Sequence, residues 1–104
     1  MDELLVYSIT SSGDGCVIAF SGEIDITNAP FFAEVLAEPE ARCVNIDLAN
    51  VTLLDSSGLK ALVAAQRHIR LRNGAMRIVA ASPIVRCVLE ITGLDDLLLD
   101  EPKA

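Results

Sequence analysis

The residues of this chain best suited to chemistry are two adjacent hydroxyls, Ser56 and Ser57, set between the carboxylate of Asp55 and Gly58. Upstream, Cys43-Val44-Asn45-Ile46-Asp47-Leu48 alternates apolar and polar side chains as a strand does, and downstream Leu59, Leu62, Val63 and Ile69 recur at helical spacing. The pair therefore stands at a strand-to-helix turn. Unpaired backbone N–H groups and a helix dipole of about +0.5 of a charge favour an anion there. Two roles suit the position. Asp55 or a serine can cap the helix, as these side chains commonly do, or a serine can carry a phosphate that the fold tolerates. A third role, nucleophilic catalysis, needs an activating base within hydrogen-bond reach. The single histidine, His68, lies on the same helix, about 18 Å along the axis from Ser56 at about 1.5 Å per residue. There is no Gly-x-Ser-x-Gly elbow. The pattern speaks against an enzyme.

The elements that must hold the serines can be read on either side of them. Leu4 to Thr10 and Cys16 to Ser21 are β-prone runs separated by Ser11-Ser12-Gly13-Asp14-Gly15, which predicts a hairpin. Gly13-Asp14-Gly15 joins two strands and does not open a helix, so it reads as a turn and not as a dinucleotide fingerprint. Gly22-Glu23-Ile24-Asp25-Ile26 closes the second strand. A helix is expected from Asn28 to about Glu38, with Asn28 or Thr27 as cap, Pro30 in its first turn and Phe31, Val35 and Leu36 inward. A strand over about 43–48 leads through Ala49 to Leu54 into the serine turn and a helix over 57–72, ended by Asn73-Gly74. Met76 to Ala80 is a further strand, Ser82-Pro83 opens a helix over about 83–91, and Thr92-Gly93 breaks it. For Leu94 to Leu99 both a short strand and a short helix stay open. Strands alternating with helices after an initial hairpin imply right-handed crossovers: an α/β fold with a small mixed sheet of about four strands and helices mainly on one side.

Composition bounds the rest. At 104 residues, 52% of them hydrophobic and 4% aromatic, residues 1–104 read as a single domain with an aliphatic core. The net charge of −7 argues against direct nucleic-acid binding, which needs clustered Lys and Arg. Arg67, Arg70 and Arg72 with His68 are expected as a solvated helix end, where cations complement the negative terminus. Cys16, Cys43 and Cys87 are far apart in apolar settings and read as buried thiols of a reducing compartment. No Cys or His spacing suggests a metal, and none suggests a cofactor. Asp2 and Glu3 stand where a signal peptide carries positive charge, and no apolar run approaches the roughly 18 residues of a membrane span. A cytoplasmic protein without membrane insertion is expected.

Three stretches in order, Gly22-Glu23-Ile24-Asp25, then Leu53-Leu54-Asp55-Ser56-Ser57-Gly58-Leu59, then Ser82-Pro83 with Ile91-Thr92-Gly93-Leu94, resemble the STAS domain family, and within it the bacterial anti-sigma factor antagonists. The resemblance covers roughly residues 4–99 and implies a partner switch. The unphosphorylated antagonist binds an anti-sigma factor that is also an ATP-dependent serine kinase, and the sigma factor is released. The kinase then phosphorylates the serine after the Asp, here Ser56, and the complex dissociates until a metal-dependent serine phosphatase restores the hydroxyl. By the same resemblance Gly22, Glu23, Ile24, Asp25, Asp55, Ser57, Gly58, Leu59 and Lys60 belong to the partner interface, with Gly58 leaving room for close backbone approach. Lys60 departs from the commonest pattern, in which glycine follows Gly-Leu. A different use of the same family fold is a STAS subunit that docks on a transporter, a lipid-export complex or a signalling assembly without a sigma factor.

Overall fold

The computed structural model describes residues 5–97. The β-prone N-terminal runs pair as antiparallel strands, β1 (Val6–Ser12) and β2 (Gly15–Ile24), with Ser12 opposite Gly15. Only Gly13-Asp14 is left to turn the chain. Gly13 has φ +60° and Asp14 does not share a positive φ, the type II′ arrangement whose twist matches that of the flanking strands. The hairpin is therefore longer than its sequence pattern indicates, because Ser11 and Ser12 pair instead of looping out.

Beyond the hairpin the chain alternates: α1 (Ala29–Ala37), β3 (Cys43–Leu54), α2 (Ser56–Leu71), β4 (Ala75–Ala81), α3 (Pro83–Ile91) and a 3-10 turn over Asp95–Leu97. The strands lie in the order β1-β2-β3-β4, with β2–β3 and β3–β4 parallel. Alternation divides the sheet cleanly. Cys16, Ile18, Phe20, Val44, Ile46, Leu48, Met76 and Ile78 are buried with Phe32, Leu62, Val85 and Leu89 of the three helices in one core. Thr10, Val17, Asn45 and Arg77, which are register neighbours across the four strands, lie on the uncovered face. The small mixed sheet with its helices on one side is as expected from the sequence.

Several expectations are corrected. β3 does not stop near residue 48 but continues to Leu54, because β2 accompanies it to Ile24. Register shifts at Ala19/Ser21 and Gly22/Glu23 absorb the irregular Ala49-Asn50 step and keep Val51 and Leu54 buried. On α1 it is Phe32 and not Phe31 that turns inward with Val35 and Leu36. Both phenylalanines fit the helical spacing. Phe32 wins through an edge-on contact with Phe20, ring centroids 4.7 Å apart, while Phe31 is 40% exposed and lies against Tyr7. Of the three thiols only Cys16 is buried, whereas Cys43 and Cys87 are exposed. Cys43 opens β3 on the side opposite Val44, and Cys87 lies on α3 between the inward Val85 and Leu89. Burial pushes the Cys16 thiol pKa up, and the nearby Arg72 charge and the Asn45 backbone hydrogen bond partly oppose it.

The C-terminal end of α2 is also more structured than a solvated cation cluster. Asn73 takes φ +67°, the Gly74 N–H donates to Ile69 O at 2.8 Å and the Asn73 N–H to Arg70 O at 2.9 Å, a Schellman arrangement. Arg67, His68 and Arg70 are exposed as expected, but Arg72 is half-buried and donates to Pro39 O and Ala41 O at 2.9 and 3.1 Å. It ties α2 to the segment that enters β3. The final segment forms the 3-10 turn with Leu97 buried, and Leu98 and Leu99 lie outside the described residues. No helix among the described residues is long and apolar enough to cross a membrane.

Candidate functional site

β2 and β3 run parallel and finish side by side, Glu23 opposite Leu53 and Ile24 opposite Leu54, and the Asp55 N–H donates to Ile24 O at 3.2 Å. Ser56 thus emerges at the carboxyl ends of parallel strands, where open α/β sheets present their binding sites. Asp55 is extended, φ −100° and ψ −173°, and its Oδ1 accepts from the Ser57 N–H at 2.9 Å and the Gly58 N–H at 3.2 Å. The carboxylate is the cap. Ser56 is exposed and Ser57 half-buried. This differs from the sequence expectation: the Ser57 and Gly58 amides, expected to be open to an anion, are already held by Asp55.

Beside the start of α2, Gly22–Asp25, the end of β2 and the first residue of the loop that follows it, is built to stay in place. Gly22 has φ +122° at a register shift between β2 and β3, a conformation that favours glycine. Asn28 occupies the cap position of α1 but makes no side-chain bond to that helix. Its Oδ1 accepts from the Asp25 N–H at 3.0 Å and its Nδ2 donates to Glu23 O at 2.8 Å, so the side chain expected to cap α1 clamps the loop instead. The Thr27 hydroxyl donates to Asp25 Oδ1 at 2.6 Å and the Thr27 N–H to the same oxygen at 3.0 Å. These bonds, the hydroxyl's first, hold the Asp25 pKa below the ordinary carboxylate value against a smaller desolvation effect.

The interface residues inferred from the sequence divide by burial. Ile24 is fully buried, as are Gly58 and Leu59 for the most part. A Cβ on Gly58 would stand 2.5 Å from Leu54 Cδ1 and 2.7 Å from Ile24 Cγ2. Its missing side chain lets the first turn of α2 seat on the strand ends, so the close approach at Gly58 is to the protein's own core. Glu23, Ser56 and Lys60 are exposed, and Gly22, Asp25, Asp55 and Ser57 are partly so.

Some surface at this site escaped the sequence reading. Ile26 is 72% exposed and Leu53 38% exposed, on the segments that flank Ser56. Leu53 carried a signal, since Val51-Thr52-Leu53-Leu54 breaks the alternation of a half-buried strand. A largely apolar groove of about 390 Å³ runs along α2 from Ser56, lined by Leu59, Lys60, Val63, Arg67 and, from beyond α3, Leu94. The stripe Ser56, Lys60, Val63, Arg67 follows helical spacing and was legible as one face; that Leu94 closes it was not. His68 instead borders a hollow with Ala33, Ala37 and Ala65, between α1 and α2, and is not brought to Ser56. Among the described residues no group of three or more His, Cys, Asp or Glu side chains is placed to hold a metal.

Comparison with known proteins agrees with this geometry. A family model described as the STAS domain matches residues 7–103. The chain is 33% identical over 84 residues to an anti-sigma-B factor antagonist of Listeria monocytogenes, covering 78% of this chain and 74% of that protein. The crystal structure of an anti-sigma factor antagonist from Mycobacterium paratuberculosis superposes with a TM-score of 0.82 at 26% identity, over 99% of this chain and 92% of that one. The fold is also that of the Bacillus anti-sigma factor antagonist SpoIIAA. Its unphosphorylated form matches with a TM-score of 0.74 at 18% identity, over 94% of this chain and 90% of that one. Its phosphorylated form matches at 0.71 and 17%, over 94% and 93%.

Proposed function

This chain belongs to the STAS domain family, and from that premise we propose that it is an anti-sigma factor antagonist switched by phosphorylation of Ser56. In the unphosphorylated state its surface around Ser56 binds an anti-sigma factor, which releases the sigma factor. That anti-sigma factor is an ATP-dependent serine kinase: the Ser56 oxygen attacks the γ-phosphorus of ATP, ADP leaves, and the hydroxyl proton passes to the kinase. A serine phosphatase returns the hydroxyl. The protein itself acts as a cytoplasmic binding switch and does no catalysis.

The observation that carries this reading is the division of labour at the start of α2. Asp55 does the capping, so the exposed Ser56 hydroxyl is spared for a partner, on a surface made of a clamped loop and an apolar groove. Relatives named as anti-sigma-B factor antagonists support the same function, and the fold is shared by both the unphosphorylated and the phosphorylated forms of SpoIIAA. Phosphorylation adds about −1.5 to −2 of charge at pH 7. Burying that charge against a surface shaped for a neutral hydroxyl costs several kcal/mol, and each 1.4 kcal/mol is about a tenfold loss of affinity. The exposed position of Ser56 keeps the same charge in water while the domain is free, so the effect falls on binding and not on folding.

Isothermal calorimetry against the cognate anti-sigma factor tests this. Ser56→Ala should bind persistently even with ATP present, and Ser56→Asp should bind at least tenfold more weakly with an unchanged melting temperature. Equal affinity of the parent, Ala and Asp forms would refute the switch.

A further inference from the structure

We propose that Lys60 pairs with the phosphate on phosphorylated Ser56 and draws it across the mouth of the α2 groove. This rests on Ser56 being the acceptor and concerns what the phosphate does once attached. Ser56 and Lys60 are four residues apart on α2, both exposed and both lining the same groove. That spacing brings side chains together on one helix face, and an anion placed N-terminal to the cation is the better orientation.

The usual alternative for a phosphate at a helix start is narrowed, because three amides of the first turn are taken. The Ser57 and Gly58 amides are bonded to the Asp55 carboxylate, and the Leu59 N–H donates to Asp55 O at 3.1 Å. The charged groups on the segments around Ser56, besides those of α2, are Asp55 at the cap, Glu23 and Asp25 at the end of β2, and Asp95 and Asp96 directly after the groove-lining Leu94, all repulsive. Along α2 the groove holds two cations, Lys60 and Arg67. Arg67 lies about 16 Å along the helix axis from Ser56, so Lys60 is the one within a turn. Attraction to Lys60 therefore draws the phosphate toward the groove. The pair then covers an apolar surface that the unphosphorylated protein offers to its partner, adding occlusion to the charge penalty. It also favours the dianion, so less of the phosphate is singly charged near neutral pH, where an unperturbed phosphoserine has its second pKa at about 6.

The test needs no kinase. Phosphoserine is installed at position 56 during translation, and its phosphorus resonance is titrated in the parent, Lys60→Gln, Lys60→Arg and Arg67→Gln proteins. Lys60→Gln should raise the second pKa of the phosphate by about 0.3, the size expected for one cation at about 5–6 Å in a water-like medium at physiological salt. Lys60→Arg should keep the parent value, and Arg67→Gln, which removes the same charge farther away, should change it by less than about 0.1. A titration of Lys60→Gln that coincides with the parent, or that moves no more than Arg67→Gln, overturns the pairing. Failure of the cognate kinase to modify Ser56 would instead refute the acceptor assignment and leave this titration untouched.

Discussion

Replacing Gly58 with alanine sets two effects of opposite sign against each other. Helix propensity alone makes Gly58→Ala stabilising, by up to about 1 kcal/mol in a helix interior. Packing opposes it. The new Cβ would fall 2.5 Å from Leu54 Cδ1 and 2.7 Å from Ile24 Cγ2, where carbon atoms normally meet at about 3.5–4.0 Å. Leu54 can relieve its share by a rotamer change. Ile24 cannot: the methyl sits on a β-branched carbon that is stiff at χ1, and the side chain is 0% exposed. The remaining relief is for the first turn of α2 to lift by about 1 Å from the strand ends. Overpacking of this kind costs about 1–3 kcal/mol, and two contacts under 3.0 Å, one of them with a side chain that cannot turn away, place it in the upper half, about 2–3 kcal/mol, which after the propensity gain leaves a net loss of about 1–2 kcal/mol. At about 4–8 °C per kcal/mol for a domain near this size, the melting temperature should fall by about 5–15 °C. Thermal and urea unfolding followed by circular dichroism measure it, with an unchanged urea m-value showing that the denatured state is not the cause. A Gly58→Ala protein as stable as the parent, or more so, would refute the account of how α2 is seated and with it the reason Ser56 is held where it is.

Two further outcomes follow from the same residues. Asp55→Ala should lose about 1 kcal/mol in urea unfolding, because two first-turn amides lose their acceptor, while Asp55→Asn should retain most of the stability since an amide oxygen still caps. Thr27→Val removes the hydroxyl that depresses the Asp25 pKa, so an NMR titration should show that pKa rise toward the ordinary value. A depressed carboxylate pKa stabilises the fold above its unfolded value near pH 4, and that contribution is lost as pH falls through the lower folded value. The difference between parent and Thr27→Val should therefore be complete at pH 6 and shrink below pH 4. A difference that grew with acid would contradict the hydrogen-bond assignment.

The chain's local grammar carried most of the architecture. Gly13 at a hairpin turn, Ser82 ahead of Pro83 and Asn73-Gly74 after α2 are determined by backbone chemistry within a few residues. So these punctuation marks were readable without neighbours. The serine turn was equally legible, because Asp55-Ser56-Ser57-Gly58 lies between two periodicities that change from strand to helix. What stayed hidden depended on partners distant in sequence. Ala49 to Leu54 looks like a linker until β2 is placed beside it and its register shifts are counted. Phe31 and Phe32 are equivalent by spacing until Phe20 selects one. Arg72 reads as a solvated cation until the carbonyls of Pro39 and Ala41 stand beside it.

The same boundary divides the functional site. Sequence alone showed the hydroxyl pair, the carboxylate before it and the strand end at Gly22 to Asp25, since residue type and short-range spacing specify each; that Ser56 is the acceptor is what the family resemblance implies. Tertiary structure alone decided that Asp55 and not a serine does the capping, that Asn28 leaves α1 to clamp the loop, and that Gly58 and Ile24 face the core while Ile26, Leu53 and Leu94 border the surface near Ser56. Capping choice, side-chain direction and burial are settled by competition among groups that only the folded chain brings within a few ångströms, and a hydrogen bond or a packed methyl has no reach beyond that.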